Sequence, residues 1–129
     1  MREIKVRYAC EDACGDFFFY FLDLDYLVNN AFRLGDIARI DRIIARDLFI
    51  GLKDKSDAEI YSGDIIKHYD YPWLKAGGVE LVRWEAEACG FYPFIRESPE
   101  YGRPSAGEWA EVIGNRYQDL HLLKKYHLV

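Results

Sequence analysis

Asp64, His68 and Glu85 are the side chains of this chain best suited by type to move a proton. An Asp and a His four positions apart could pair a base with the carboxylate that orients it, and Glu85 could supply a second acid–base group. On an extended strand, positions four apart share a face but lie about 13 Å from each other, at ~3.3 Å per residue. They cannot hydrogen-bond directly, and no Ser, Cys or metal site completes a catalytic set. Asp64 has a simpler role. It follows Gly63, which takes φ > 0 without steric cost, and its carboxylate can accept from neighbouring backbone N–H groups and hold a corner. The expectation is a turn carboxylate in a protein that is not an enzyme.

Metal chemistry fares no better. Cys10-x-x-x-Cys14 lacks a second matching pair, and His68, His121 and His127 show no ligand spacing. No metal and no cofactor is expected. Cys10, Cys14 and Cys89 make an odd number, and Met1-Arg2-Glu3-Ile4-Lys5 is not followed by a sustained apolar stretch. The longest apolar run, Phe17 to Leu22, falls far short of the ~20 residues that span a bilayer. A cytoplasmic chain with reduced thiols and no membrane association is expected.

Two clusters could bind rather than react. Tyr69, Tyr71, Trp73 and Tyr92 could present an aromatic face to a protein partner, although aromatics more commonly serve packing. Arg33, Arg39, Arg42 and Arg46 could form a basic strip for nucleic acid, with aromatics for stacking. Asp36, Asp41 and Asp47 are interleaved with that strip. Residues 33–55 carry six basic and four acidic groups, whereas residues 56–111 carry five basic and eleven acidic ones. With a net charge of −5, tight binding of duplex DNA is not expected. Self-association is compatible with the sequence.

These residues need a scaffold. At 129 residues, half of them hydrophobic and 16% aromatic, the chain can bury a core as one domain. Ten Tyr, eight Phe and three Trp against four Pro favour β-structure. Ile4, Val6 and Tyr8 alternate with Lys5 and Arg7, a half-buried strand. Glu11–Asp16 is a turn and Phe17–Leu22 a strand apolar on both faces. Residues 23–30 fit a short helix or a structured loop. In residues 36–46 the helical spacing of Ile37, Ile40 and Ile44, with Asp36 as a cap, competes with a strand; both stay open, and a strand is expected from about Asp47 to Leu52.

Lys53-Asp54-Lys55-Ser56-Asp57 is a polar turn, because Asp and Ser bond their own backbone. Ile60 and Tyr61 follow as a strand, Gly63 as a second turn, and Asp64-Ile65-Ile66 as another strand. Strands are expected at 79–84, at 89–95 with Pro93 at an edge or bulge, and at 108–113, stopped by Gly114-Asn115. Asn115 would cap a short final helix bearing Leu120 and Leu123. The four strands from residue 64 to residue 113 read as a small barrel.

Three blocks resemble the YopX family of phage and prophage proteins: Met1–Arg7; Gly51–Ile66; and Val82-Arg83-Trp84 followed by Gly90–Phe94 and then Glu111–Tyr117. The resemblance implies a mainly β-protein of one domain, with a β-rich part at 1–50 and an SH3-like barrel at 51–129 that ends in a short helix. It also implies a phage or prophage origin and offers no catalytic residues. It does not extend to Ala9–Leu48, where the arginine-rich segment stands on its own. The expected function is a non-catalytic binding or adaptor module for a protein of host or phage. The alternative is a nucleic-acid accessory protein using the Arg33–Arg46 strip.

Overall fold

The computed structural model describes residues 4–23, 37–68, 78–87, 89–94 and 110–128. The chain divides into two compact units, Met1–Gly51 and Leu52–Val129. The described elements are β-strands apart from one short helix, so the fold is mainly β.

In the first unit β1 (Lys5–Glu11) lies between β2 (Phe17–Asp23) and β3 (Arg42–Lys53), antiparallel to both. The β1–β2 turn is held by Asp12, whose Oδ1 accepts from the Cys14 and Asp16 amides at 2.9 and 3.0 Å. Strand alternation gives the sheet two faces. Tyr8, Cys10 and Leu22 form a buried cluster on one face, with Val6, Phe18, Tyr20 and Ile40 packed against it. Arg7 and its cross-strand neighbour Asp47 are buried on the other, joined by an ion pair at 3.0 Å.

β3 differs from the sequence expectation. It starts at Arg42 rather than near Asp47, and residues 38–39 form a turn, so the helical reading of 37–46 is set aside. The helical spacing of the isoleucines loses to cross-strand pairing: β1 offers a ladder that runs as far as Glu11↔Arg42. The ladder is irregular at one point. Ala9 pairs Ala45 and Cys10 pairs Ile43, so Ile44 is an extra residue, a β-bulge.

The second unit begins with the polar turn. Asp54, 4% exposed, accepts from the amides of Ser56 and Ala58 through Oδ1 at 2.8 and 2.9 Å. Its Oδ2 accepts from the Val112 amide at 2.9 Å. The turn leads from β3 into β4 (Glu59–Tyr61), β3's neighbour in the sheet. β5 (Asp64–His68) is central in a three-stranded antiparallel sheet, between β6 (Val79–Leu81) and β9 (Ala110–Asn115). Ile65 and Ile66 are adjacent and both fully buried, so both faces of β5 are covered.

The strand expected at 79–84 is two. β6 ends at Leu81, and β7 (Arg83–Glu85) belongs to a separate hairpin with β8 (Gly90–Tyr92). Val82 between them is fully buried, and its backbone bonds Gly63 and Asp64 at 2.8 and 2.9 Å. Its side chain and backbone are both satisfied at that corner, which ends one ladder and lets the next begin. Pro93 follows β8 rather than lying within a ladder, as a residue without an N–H should.

The C-terminal end corrects two further expectations. β9 runs two residues further than expected, through Gly114 to its end at Asn115, and α1 (Leu120–Lys125) has Asp119, not Asn115, at its N-cap. Asn115 instead shapes the preceding turn, its Oδ1 accepting from the Tyr117 and Gln118 amides, each at 3.0 Å. Asp119 turns back to accept from the Asn115 amide at 3.0 Å. That close approach requires a glycine, since a Cβ at Gly114 would sit 2.6 Å from Asp119 Oδ2. The described strands form open sheets, and none closes on itself among the described residues.

Asp54 joins a local turn to β9, so Asp54→Ala is expected to lower stability by about 3 kcal/mol, because three part-buried amides lose a charged acceptor. Asp54→Asn, which keeps one carbonyl acceptor, should lose clearly less. Denaturant unfolding of the two variants checks this; equal losses would show that the second oxygen is not needed.

Candidate functional site

The acid–base candidates are dispersed into separate structural roles. Asp64, 2% exposed, accepts from the Tyr61 amide through Oδ2 at 2.9 Å. That bond spans the Ser62–Gly63 turn, where Gly63 has φ 89°. His68 is buried, with Nε2 3.9 Å from Glu80 Oε1. Glu85 lies 2.9 Å from its strand neighbour Arg83. The three are thus engaged with three different partners, and the geometry does not bring them to one point. Among the described residues no three His, Cys, Asp or Glu side chains cluster as a metal site would need, and no helix is long and apolar enough to cross a membrane.

The arginine strip is broken by the β3 bulge. Four positions apart on a regular strand, Arg42 and Arg46 would share a face. The extra residue Ile44 shifts the register between them, so Arg46 lies on the Tyr8 face and Arg42 on the Arg7 face. Arg42 is bound to Glu11, at 2.9 Å through Nη2 and 3.2 Å through Nε. The hydrogen bond and charge of Glu11 raise the Arg42 pKa further above its ordinary value. Arg39 stacks over the Phe18 ring at 3.9 Å. Arg33 lies outside the described residues. Arg39, Arg42 and Arg46 therefore do not form one continuous basic surface.

Of the aromatic candidates, Tyr69, Tyr71 and Trp73 lie outside the described residues. Tyr92 is at the end of β8, half-buried, opposite Arg83, whose guanidinium stands 4.7 Å above its ring. The next cross-strand pair is Trp84 and Phe91, edge to face at 5.2 Å between centroids. Trp84 is 55% exposed, an unusual position for so large an apolar group. The hairpin thus presents Trp84–Phe91 on one face and Arg83–Tyr92 on the other. Sequence reasoning placed Trp84 in a strand but missed its exposure. Alternation alone cannot show which face of a two-stranded hairpin is left uncovered.

The thiols are separate from one another. Cys10 is fully buried, and burial pushes its pKa above the ordinary thiol range. Cys14 and Cys89 are exposed in turns.

A family model described as "YopX protein" matches residues 29–124. No curated protein matches the chain.

Two outcomes follow from this geometry. Asp64→Ala should lower stability by about 1–2 kcal/mol through the lost corner hydrogen bond; an unchanged melting midpoint would contradict the structural role. In the folded protein two thiols should react promptly with a disulfide reagent at mildly alkaline pH. Cys10 should react only on unfolding, since its burial and raised pKa both suppress thiolate. Three equally fast thiols would contradict the burial of Cys10.

Proposed function

The chain belongs to the YopX family, and from that premise we propose that it is a non-catalytic binding module acting on a protein partner. The observation that carries this reading is the β7–β8 hairpin. A Trp more than half exposed, braced edge-on by Phe91, has large apolar area that a partner can bury at little ordering cost. Arg83 stacked on Tyr92 adds a polar and aromatic surface on the other side. Both groups are common in the buried centres of protein interfaces.

The reading includes a finer architecture and setting. The second unit is proposed to be an SH3-like barrel, supported by the two sheets β6-β5-β9 and β7-β8 and by the corner at Val82 where the chain passes from one to the other. Barrels of that kind carry no built-in chemistry and bind through loops and aromatic faces. Phage or prophage origin and a cytoplasmic location belong to the same proposal. The alternative nucleic-acid reading is disfavoured by the Glu11–Arg42 pair and by the division of Arg42 and Arg46 between two faces.

Tagged protein recovered from host cells carrying the phage or prophage tests the proposal. A stoichiometric protein should accompany the wild type and be lost with Trp84→Ala, whose melting midpoint should stay within a few degrees of the parent because the side chain is largely exposed. Recovery of nuclease-sensitive nucleic acid in place of protein would favour the alternative. In the same material, titration with duplex DNA at about 150 mM salt should show no micromolar binding, and Arg39→Ala, Arg42→Ala and Arg46→Ala together should change nothing.

A further inference from the structure

The first half of β3 combines an open sheet edge with a solvent-exposed cation, Arg46. β1 pairs with one side of β3. On the other side β4 is three residues long against twelve for β3 and follows it through the 54–58 turn, so it lies beside the C-terminal end of β3. Ile43 to Arg46 therefore have no strand on their outer edge among the described residues. On the Tyr8 face beside this edge, Tyr8, Ile43, Ile44, Ala45 and Arg46 line a cleft of about 600 Å³.

The side chains at this edge are unusual for solvent. Ile43 is 42% and Ile44 39% exposed. Natural sheets usually shield such an edge with charge or a covering element, because unpaired backbone groups beside apolar side chains invite a further strand. The bulge at Ile44 adds an extra residue of backbone here, a device common beside binding sites. Arg46 has no hydrogen-bond or ion-pair partner among the described residues. It projects on the same face as Tyr8 and Ile43, by the ladder Tyr8↔Arg46 and Cys10↔Ile43.

We propose that the Ile43–Arg46 edge receives an extended segment of a partner protein by strand addition, with apolar side chains over Ile43 and Ile44 and a carboxylate on Arg46. Main-chain hydrogen bonds to the open edge would supply affinity, and alternate side chains the specificity. Charge selects the occupant. Ile43–Arg46 contain no carboxylate, and Arg42 is already paired with Glu11, so a second copy of this edge would bring Arg46 no partner. A four-residue edge also offers far less area than a stable dimer needs. An acidic, extended segment meets both conditions. The proposal rests on the reading of the chain as a protein-binding module, but it uses a surface other than the Trp84 hairpin.

Selection of displayed random nonapeptides on the full-length protein tests it. The recovered pool, made as labelled synthetic peptides, should alternate apolar and polar positions and carry Asp or Glu. Binding should weaken roughly fivefold or more with Arg46→Glu, fall similarly with Ile43→Lys, and be unchanged with Trp84→Ala. Hydrogen exchange should show slowed amides within residues 43–46 on peptide binding. Peptides that depend on Trp84 and not on Arg46 would overturn strand addition while leaving the binding-module reading intact. Protection of the same amides by self-association, or by an oligothymidine, would assign the edge to a different occupant and overturn the proposal. Failure to recover any peptide would also overturn it, and the partner-capture experiment with Trp84→Ala would still judge the broader reading separately.

Discussion

The Asp54 carboxylate is the constraint on which the second unit depends. One oxygen closes the 54–58 turn by accepting from Ser56 and Ala58, and the other accepts from Val112 in β9. The backbone reinforces this tie, with the Lys55 amide donating to the Ala110 carbonyl at 2.9 Å. A turn so held cannot open without releasing a strand 58 positions away in sequence. Losing these three part-buried bonds to a charged acceptor would cost about 3 kcal/mol in all, which is large against the ~5–15 kcal/mol by which domains are stable.

The same device recurs. Asp64 closes the next turn on Tyr61, Asp12 closes the β1–β2 turn, and Asp119 binds the Asn115 amide. Short carboxylates close to the backbone are suited to this, because they reach amides two to four residues away. Four of the chain's 22 acidic residues, all Asp, are thus occupied in setting turns. Asp64, the residue with the best credentials for chemistry, is held by its corner, and His68 sits beside Glu80 instead of beside Asp64.

In the first unit, a single inserted residue has the comparable influence. Ile44 places Arg46 on the Tyr8 face and Arg42 beside Glu11. It keeps Asp47 directly across from Arg7, where the pair is buried and the guanidinium also stands 4.1 Å from the Phe19 ring. A buried ion pair contributes less to net stability than to register, since desolvation offsets much of its attraction. Slipping β3 by one residue would leave both charges buried and unpaired.

Local chemistry was legible in the sequence wherever the interacting groups are close along the chain. The Glu11–Asp16 turn, the 53–57 turn and the Gly63–Asp64 corner appear as read, because their hydrogen bonds span two to four residues; the strand at Ile4–Tyr8 also forms, but not its expected alternation, since Arg7 is buried against Asp47 and Ile4 is exposed. The mainly β character was legible from the abundance of Tyr, Phe and Trp, which suit a pleated, half-buried surface. What depends on distant partners was not. The strand over Arg42–Arg46 forms because β1 lies beside it, and against that ladder its helical spacing carried no weight. The division of 79–85 at Val82 follows from bonds to the 63–64 turn, and the displacement of Asn115 from helix cap to turn follows from Asp119 folding back upon it. Sequence thus determined the turns and the strand-forming segments. Tertiary structure alone decided which faces were covered, and so left Trp84 and Ile43–Ile44 in solvent, because burial depends on what packs against a face and a strand's own residues do not specify that.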